Sequence, residues 1–162
     1  MRPMLLVALI LVATAGRSIA DADAPPFAAV AVLTGTATVK DGDGLLFGDV
    51  EIRLQGIAAP EHSAMQQDPY GAEARDNLAR LLGEGGRGIV ECHLDGTIAG
   101  AGRRPVAWCW SQRVGDLGAA QIAAGFARDC PHFSKGRYAA LEQSARRAGR
   151  NLSLVYPLPR YC

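Results

Sequence analysis

The chain contains no Cys-x-x-Cys pair, and its three histidines (His62, His93 and His132) are scattered, which sets aside a zinc site built on close ligand pairs. It also lacks an excess of positive charge: seventeen Lys and Arg face sixteen Asp and Glu, for a net +1. A protein that coats nucleic acid electrostatically carries far more, so any phosphate binding here has to be local. Beyond the first twenty residues no apolar run is long enough to cross a bilayer. No internal repeat and no second domain boundary can be found. The basic residues near the C-terminus (Arg137, Arg146, Arg147, Arg150, Arg160) fit a solvated helix face better than a binding surface.

The N-terminus has the layout of a leader. "MRPM" carries positive charge, "LLVALILVATA" is apolar, and "SIA" offers small residues before a cut after Ala20. That is the form of a secretory signal peptide over residues 1–20, with an uncleaved anchor as its rival. Cleavage would remove Arg2 and Arg17 and leave fifteen basic against sixteen acidic residues, a mature net charge of about −1. The mature protein is expected to be soluble and to reside in the periplasm or outside the cell. Cys92, Cys109, Cys130 and Cys162 suit an exported chain with two disulfides, for which three connectivities are open. Cys92 and Cys109 lie in strands flanking one loop and are candidate cross-strand neighbours, which leaves Cys130 to tie Cys162 back to the body.

Residues 21–29 read as a flexible leader, 30–152 as one folded domain and 153–162 as an irregular tail. "AVLTGTATVK" is rich in β-branched residues and ends at the turn signal "DGDG". In "LLFGDVEIRLQG", Val50, Ile52 and Leu54 alternate with Glu51, Arg53 and Gln55, so Arg53 shares the outer face of a half-buried strand. "DPYGAEARDNLARLL" predicts a helix capped by Asp68, with Pro69 at its first position, an apolar stripe of Ala74, Leu78, Leu81 and Leu82, and a stop at Gly83. "RGIVECHL" and "RRPVAWCW" predict two strands joined by a glycine-rich loop, "DGTIAGAG". "GDLGAAQIAAG" and "SKGRYAALEQSARRAG" predict two further helices. Three strands, a helix, two strands and two helices make an α+β, mainly β chain, wired as a small closed five-stranded OB barrel with three helices.

The ordered series "VKDGDGLLF", "EIRLQGIAAPE", "DPYGAEARDNL", "RRPVAWCW", "GFARDCPHFSKGRY" and "LEQSARRAG" resembles the staphylococcal nuclease (thermonuclease) family, in particular exported proteobacterial homologues, over roughly residues 30–152. The resemblance implies a five-stranded OB barrel and calcium-dependent hydrolysis of DNA and RNA by a monomer. It implies that Asp43 binds the metal directly, that Asp41 acts near it through water, and that Ala59 supplies a backbone carbonyl ligand. It implies that Arg53 and Arg104 clamp the phosphate and that Glu61 activates the attacking water. There are departures. Ala58 stands where the family usually has a second calcium-binding aspartate, Gly44 where a threonine commonly follows, and Gly102 and Arg103 where a tyrosine and a glycine often precede the second arginine.

The residue types suit that chemistry. A phosphodiester is already anionic and gathers more charge as it is attacked, which two planar guanidinium forks and a divalent cation offset. Calcium takes 6–8 oxygen ligands and lets water fill open positions, so the alanine at 58 weakens such a site without abolishing it. Singly, each residue also has a plainer use: Asp41 and Asp43 in a turn, Arg53 paired with Glu51, Glu61 as a cap, Arg104 in a structural ion pair. Two functional classes follow: an exported metal-dependent nuclease, and a non-catalytic OB module for nucleic acid or another ligand that has lost the metal. The mature protein is expected to begin near Asp21; intact-mass measurement of the exported protein checks this, and a mass that includes Met1 refutes the signal peptide.

Overall fold

The structure is a computed structural model that describes Pro25, residues 27–100, 103–150, Leu152 and 155–162. The signal segment 1–20 and most of the leader lie outside the described residues. In chain order the elements are β1 (Ala31–Asp41), β2 (Gly44–Phe47), β3 (Val50–Leu54), β4 (Ile57–Ala58), α1 (Gly71–Leu82) and a 3₁₀ turn (Glu84–Gly86). There follow β5 (Arg87–Ala99), β6 (Arg104–Ser111), β7 (Gly115–Asp116), α2 (Leu117–Ala123), β8 (Arg128–Asp129), α3 (Pro131–Ser134) and α4 (Ala139–Arg147). No helix among the described residues is long and apolar enough to cross a membrane.

Antiparallel pairings run in the order β3-β2-β1-β5-β6, with β7 continuing from β6. The sheet then closes on itself: β3 pairs in parallel with β6, placing Arg53 opposite Val106 and Leu54 opposite Ala107. Five strands thus form a closed barrel, as the strand and helix order predicts, and closure leaves those strands no open edge along that seam. Ile52 and Leu54 of β3 turn inward with Leu45, Val90 and Ala107, and Leu78 of α1 with Leu117 and Ile122 of α2 completes the same core. Val50 departs from its expected inward place and is half exposed, because it sits at the turn where β3 leaves its hairpin with β2.

Three boundaries differ from expectation. The stretch "DGTIA" is strand rather than loop: β5 continues to Ala99 through an irregularity between Leu94 and Ile98, so the connection to β6 is much shorter. Helix α1 starts at Gly71 behind Tyr70, which holds a left-handed φ of 67°, and Asp68 does not cap it. The Asp68 carboxylate is engaged elsewhere, accepting from the Glu61 N–H at 3.1 Å. The last expected helix begins only at Ala139, because Lys135 and Gly136 both have positive φ (55° and 78°) and turn the chain there, and the short α3 before it was not expected. Asp116 caps α2, accepting from the Ala119 N–H at 3.0 Å, and its other oxygen accepts from Trp108 Nε1 and from the Tyr138 hydroxyl.

Both disulfides form, Cys92 with Cys109 and Cys130 with Cys162. The first joins directly opposed residues of β5 and β6. The second pulls the C-terminus onto the start of α3, where the His132 N–H donates to the Cys162 carbonyl at 2.8 Å. Replacing Cys130 and Cys162 together by serine is expected to lower stability by about 3–4 kcal/mol, the loop-closure entropy of a ring this size. Denaturant unfolding of both proteins without reductant checks it.

Candidate functional site

The acidic turn is fixed from beneath. Gly42 packs where a β-carbon would lie 2.6 Å from the Ala59 side chain and 2.8 Å from that of Ala74, so the turn rests directly on α1 and on the strand exit beyond β4. Its carbonyl accepts from Gln121 Nε2 at 2.9 Å. Gln121 is fully buried, also donates to the Ala74 carbonyl, and accepts from Asn77. This polar clasp joins α1, α2 and the turn, and it holds Asp41 and Asp43 at the barrel rim. Its one sequence signal is a glutamine beside Ile122 on the apolar face of α2.

Asp43 is buried and meets Arg53 as a fork: Arg53 Nη1 donates to Oδ1 at 3.2 Å and Nη2 lies 2.8 Å from Oδ2. The Ala59 N–H donates to the same Oδ2 at 3.1 Å. Burial raises the Asp43 pKa to about 6; Arg53 opposes that rise, while Asp41 and Glu61 add to it. Burial also disfavours the charge on Arg53, but Asp43, together with Tyr161, Glu61 and Asp41, outweighs it and keeps the guanidinium ionised. Arg53 is therefore paired with Asp43 and not with Glu51. Glu51 instead accepts from Arg104 Nη1 at 3.0 Å and from Lys40. Burial works against the Glu51 charge, and the two cations override it and hold its pKa below the usual range.

Glu61 follows Pro60 and is half-buried. Burial pushes its pKa up, Asp41 pushes it further, and Arg53 and Arg104 pull it back. Its backbone is held by Asp68, whose N–H donates to the Glu61 carbonyl at 2.9 Å while its carboxylate accepts from the Glu61 N–H. Gly71 makes this loop possible: a β-carbon there would lie 2.2 Å from the Glu61 carbonyl oxygen.

Arg53, Glu61 and Arg104 line one groove of about 590 Å³. Its walls come from the ends of β3 and β5, the start of β6, α3 with the residue after it, and the C-terminal tail through Tyr161. Arg104 lies in this lining and its neighbour Arg103 does not. His132 and Lys135 also line it, as does Tyr161, and sequence reasoning gave none of them a part. The tail residues had no sequence signal beyond the nearby Cys162.

Ala58 is fully buried and packs against Leu152 and Tyr156. An aspartate there would meet the docked tail. Among the described residues no three His, Cys, Asp or Glu side chains gather closely enough to hold a metal ion by themselves. The donors nearby are nevertheless of the kind a hard cation takes. Asp41 and Glu61 both push the Asp43 pKa up, Asp41 also pushes up that of Glu61, and Asp43 Oδ1, with one hydrogen bond, retains a lone pair. The chemistry fits calcium or a similar cation, with much of the shell left to water.

Gly71→Ala is expected to displace the Glu61 loop and destabilise the protein by about 1–3 kcal/mol, the usual cost of overpacking; thermal unfolding checks it, and an unchanged midpoint would refute the close approach.

No curated protein matches the chain. The sequence profile described as staphylococcal nuclease homologue matches residues 51–153, from within β3 to beyond α4, and so takes in Arg53, Glu61 and Arg104. Nuclease activity is typical of that family, which generally uses calcium. The closed barrel, the groove on its β3–β6 seam and this match together place the chain in the staphylococcal nuclease homologue family.

Proposed function

We propose that the protein is an exported, monomeric hydrolase of nucleic-acid phosphodiester bonds, acting on DNA or RNA with the help of a divalent cation. The observation that carries this is the convergence of Arg53, Glu61 and Arg104 on one groove. The two disulfides are consistent with an oxidising compartment such as the periplasm or the extracellular medium.

The groove's own residues divide the work. Arg53 is preorganised by Asp43, which fixes the plane of its fork, and its remaining donors are available to a phosphate oxygen. Arg104 is aimed in the same way by Glu51 and neutralises charge as it builds on the phosphate. Glu61 takes the proton of the attacking water. A carboxylate whose pKa is raised toward neutrality is a better base, and such a base typically contributes a factor of about 10²–10⁴. Asp41, Asp43 and the Ala59 carbonyl would hold the cation, which when bound supplies positive charge and an activated water. The fully buried Ala58 favours a weak cation site and supports, as a second reading, a binding module without turnover.

Plasmid DNA and RNA incubated with the mature protein in calcium, magnesium, manganese or EDTA test the proposal. Cleavage that needs a divalent cation is expected; binding without cleavage under all four conditions would leave only the binding module. Arg104→Ala is expected to slow cleavage by about 10²–10³ with little change in melting, as when one donor to a charged transition state is lost. Arg53→Ala is expected to cost stability as well, about 3–5 kcal/mol, because it strips a buried carboxylate of its partner.

A further inference from the structure

The last residues of the chain are docked at several separate points. Leu152 and Tyr156 pack on Ala58. Arg128 Nη1 donates to the Tyr156 carbonyl at 3.1 Å. The Cys162 carbonyl accepts from the His132 N–H, the Cys162 N–H donates to the Pro159 carbonyl at 2.9 Å, and the Cys130–Cys162 disulfide closes the end. This anchoring turns Tyr161 into the groove that holds Arg53, Glu61 and Arg104.

Tyr161 gains little from that placement as a packing residue. It is 54% exposed and belongs to neither apolar cluster, although Cys162 beside it is tied down. It shares the groove lining with Arg53, and the two are close enough that the Arg53 charge favours an ionised Tyr161 hydroxyl, against the stronger effect of burial. The other aromatic side chains of the groove, His132 and Phe133, pack edge to face on each other with centroids 4.8 Å apart, and the Thr97 to Gly100 stretch carries none. A phosphate held by Arg53 would therefore bring whatever it is attached to into the groove that Tyr161 lines.

We propose that Tyr161, held beside Arg53 by the Cys130–Cys162 disulfide, is a substrate-positioning residue whose ring stacks on a base of the nucleic-acid strand bound at Arg53. This rests on the function proposed above. The ligand class is a nucleotide unit with an accessible base, since a π-face accepts any base and a paired, stacked base offers none. The disulfide acts as the part that aims the ring: without it, the ring is no longer confined to the groove.

The probe is a fluorescent single-stranded oligonucleotide, with a strand of equal length lacking bases as its control. Both are measured by direct binding, and the first also by cleavage. Tyr161→Ala is expected to weaken binding of the base-bearing strand about tenfold, within the range of one base–aromatic stack. It is expected to raise KM by a similar factor, leave kcat within about twofold, and leave melting unchanged. Tyr161→Phe, which keeps the ring, is expected to bind within about twofold of the parent. Cys130→Ser with Cys162→Ser is expected to weaken binding as Tyr161→Ala does. The strand without bases is expected to bind the parent and Tyr161→Ala alike. If the parent binds neither strand, the proposed function and this inference fall together. If the parent binds and Tyr161→Ala binds equally well, or Tyr161→Phe is as weak as Tyr161→Ala, this inference alone is overturned.

Discussion

Closure of the barrel through the parallel β3–β6 pair is the constraint on which the rest of the structure depends. Arg53 stands opposite Val106 across that seam, and Arg104 lies just before it at the start of β6. Two arginines distant in sequence thereby border one groove. An open sheet would leave β3 and β6 as separate edges, with their arginines far apart. Closure also directs the chain after β3 across the barrel end. Short β4 then pairs with β8, with Ile57 opposite Asp129 and Ala58 opposite Arg128, and the Glu61 loop is delivered to the same rim.

Charge is handled there by pairing before any ligand arrives. A buried carboxylate beside two others is costly unless a cation lies close, and Arg53 meets that need for Asp43. Glu51 does the same service in reverse, holding Arg104 in place on the more exposed side. Both forks are thus set before substrate binds, which lowers the ordering cost of binding an anion. The same arrangement places demands on an incoming phosphate, which must share each arginine with a carboxylate. The near-neutral net charge of +1 is no obstacle, because the attraction is confined to these residues.

The C-terminal tail links stability to the groove. Docking Leu152 and Tyr156 on Ala58 covers apolar surface that a free tail would leave in water. The tail's second anchor is a covalent one, at Cys130 beside α3. Ala58 and the stapled tail are thus parts of one local arrangement: the small residue makes room, and the tail fills it.

The sequence by itself determined the barrel, because alternating apolar residues, turn signals and helix stripes are local and each constrains its own segment. It also named Arg53, Glu61 and Arg104, which the fold brings to one groove, although each of them singly had a plainer use. Where side chains chose partners across the fold, local pattern was no guide. Asp68 gave up a helix cap to hold the Glu61 backbone, and Arg53 took Asp43 while Glu51 took Arg104. Gln121, unremarkable on paper, became the clasp under the acidic turn. The strand that replaced the glycine-rich loop was likewise decided by its neighbour, since β5 could lengthen only where β6 offered partners. Tyr161 is the clearest case: nothing in "PLPRYC" reports a groove, and only the closed barrel and the bond to Cys130 bring that ring to Arg53. Periodicity is written along the chain, whereas a contact between residues a hundred positions apart exists only after the barrel has closed.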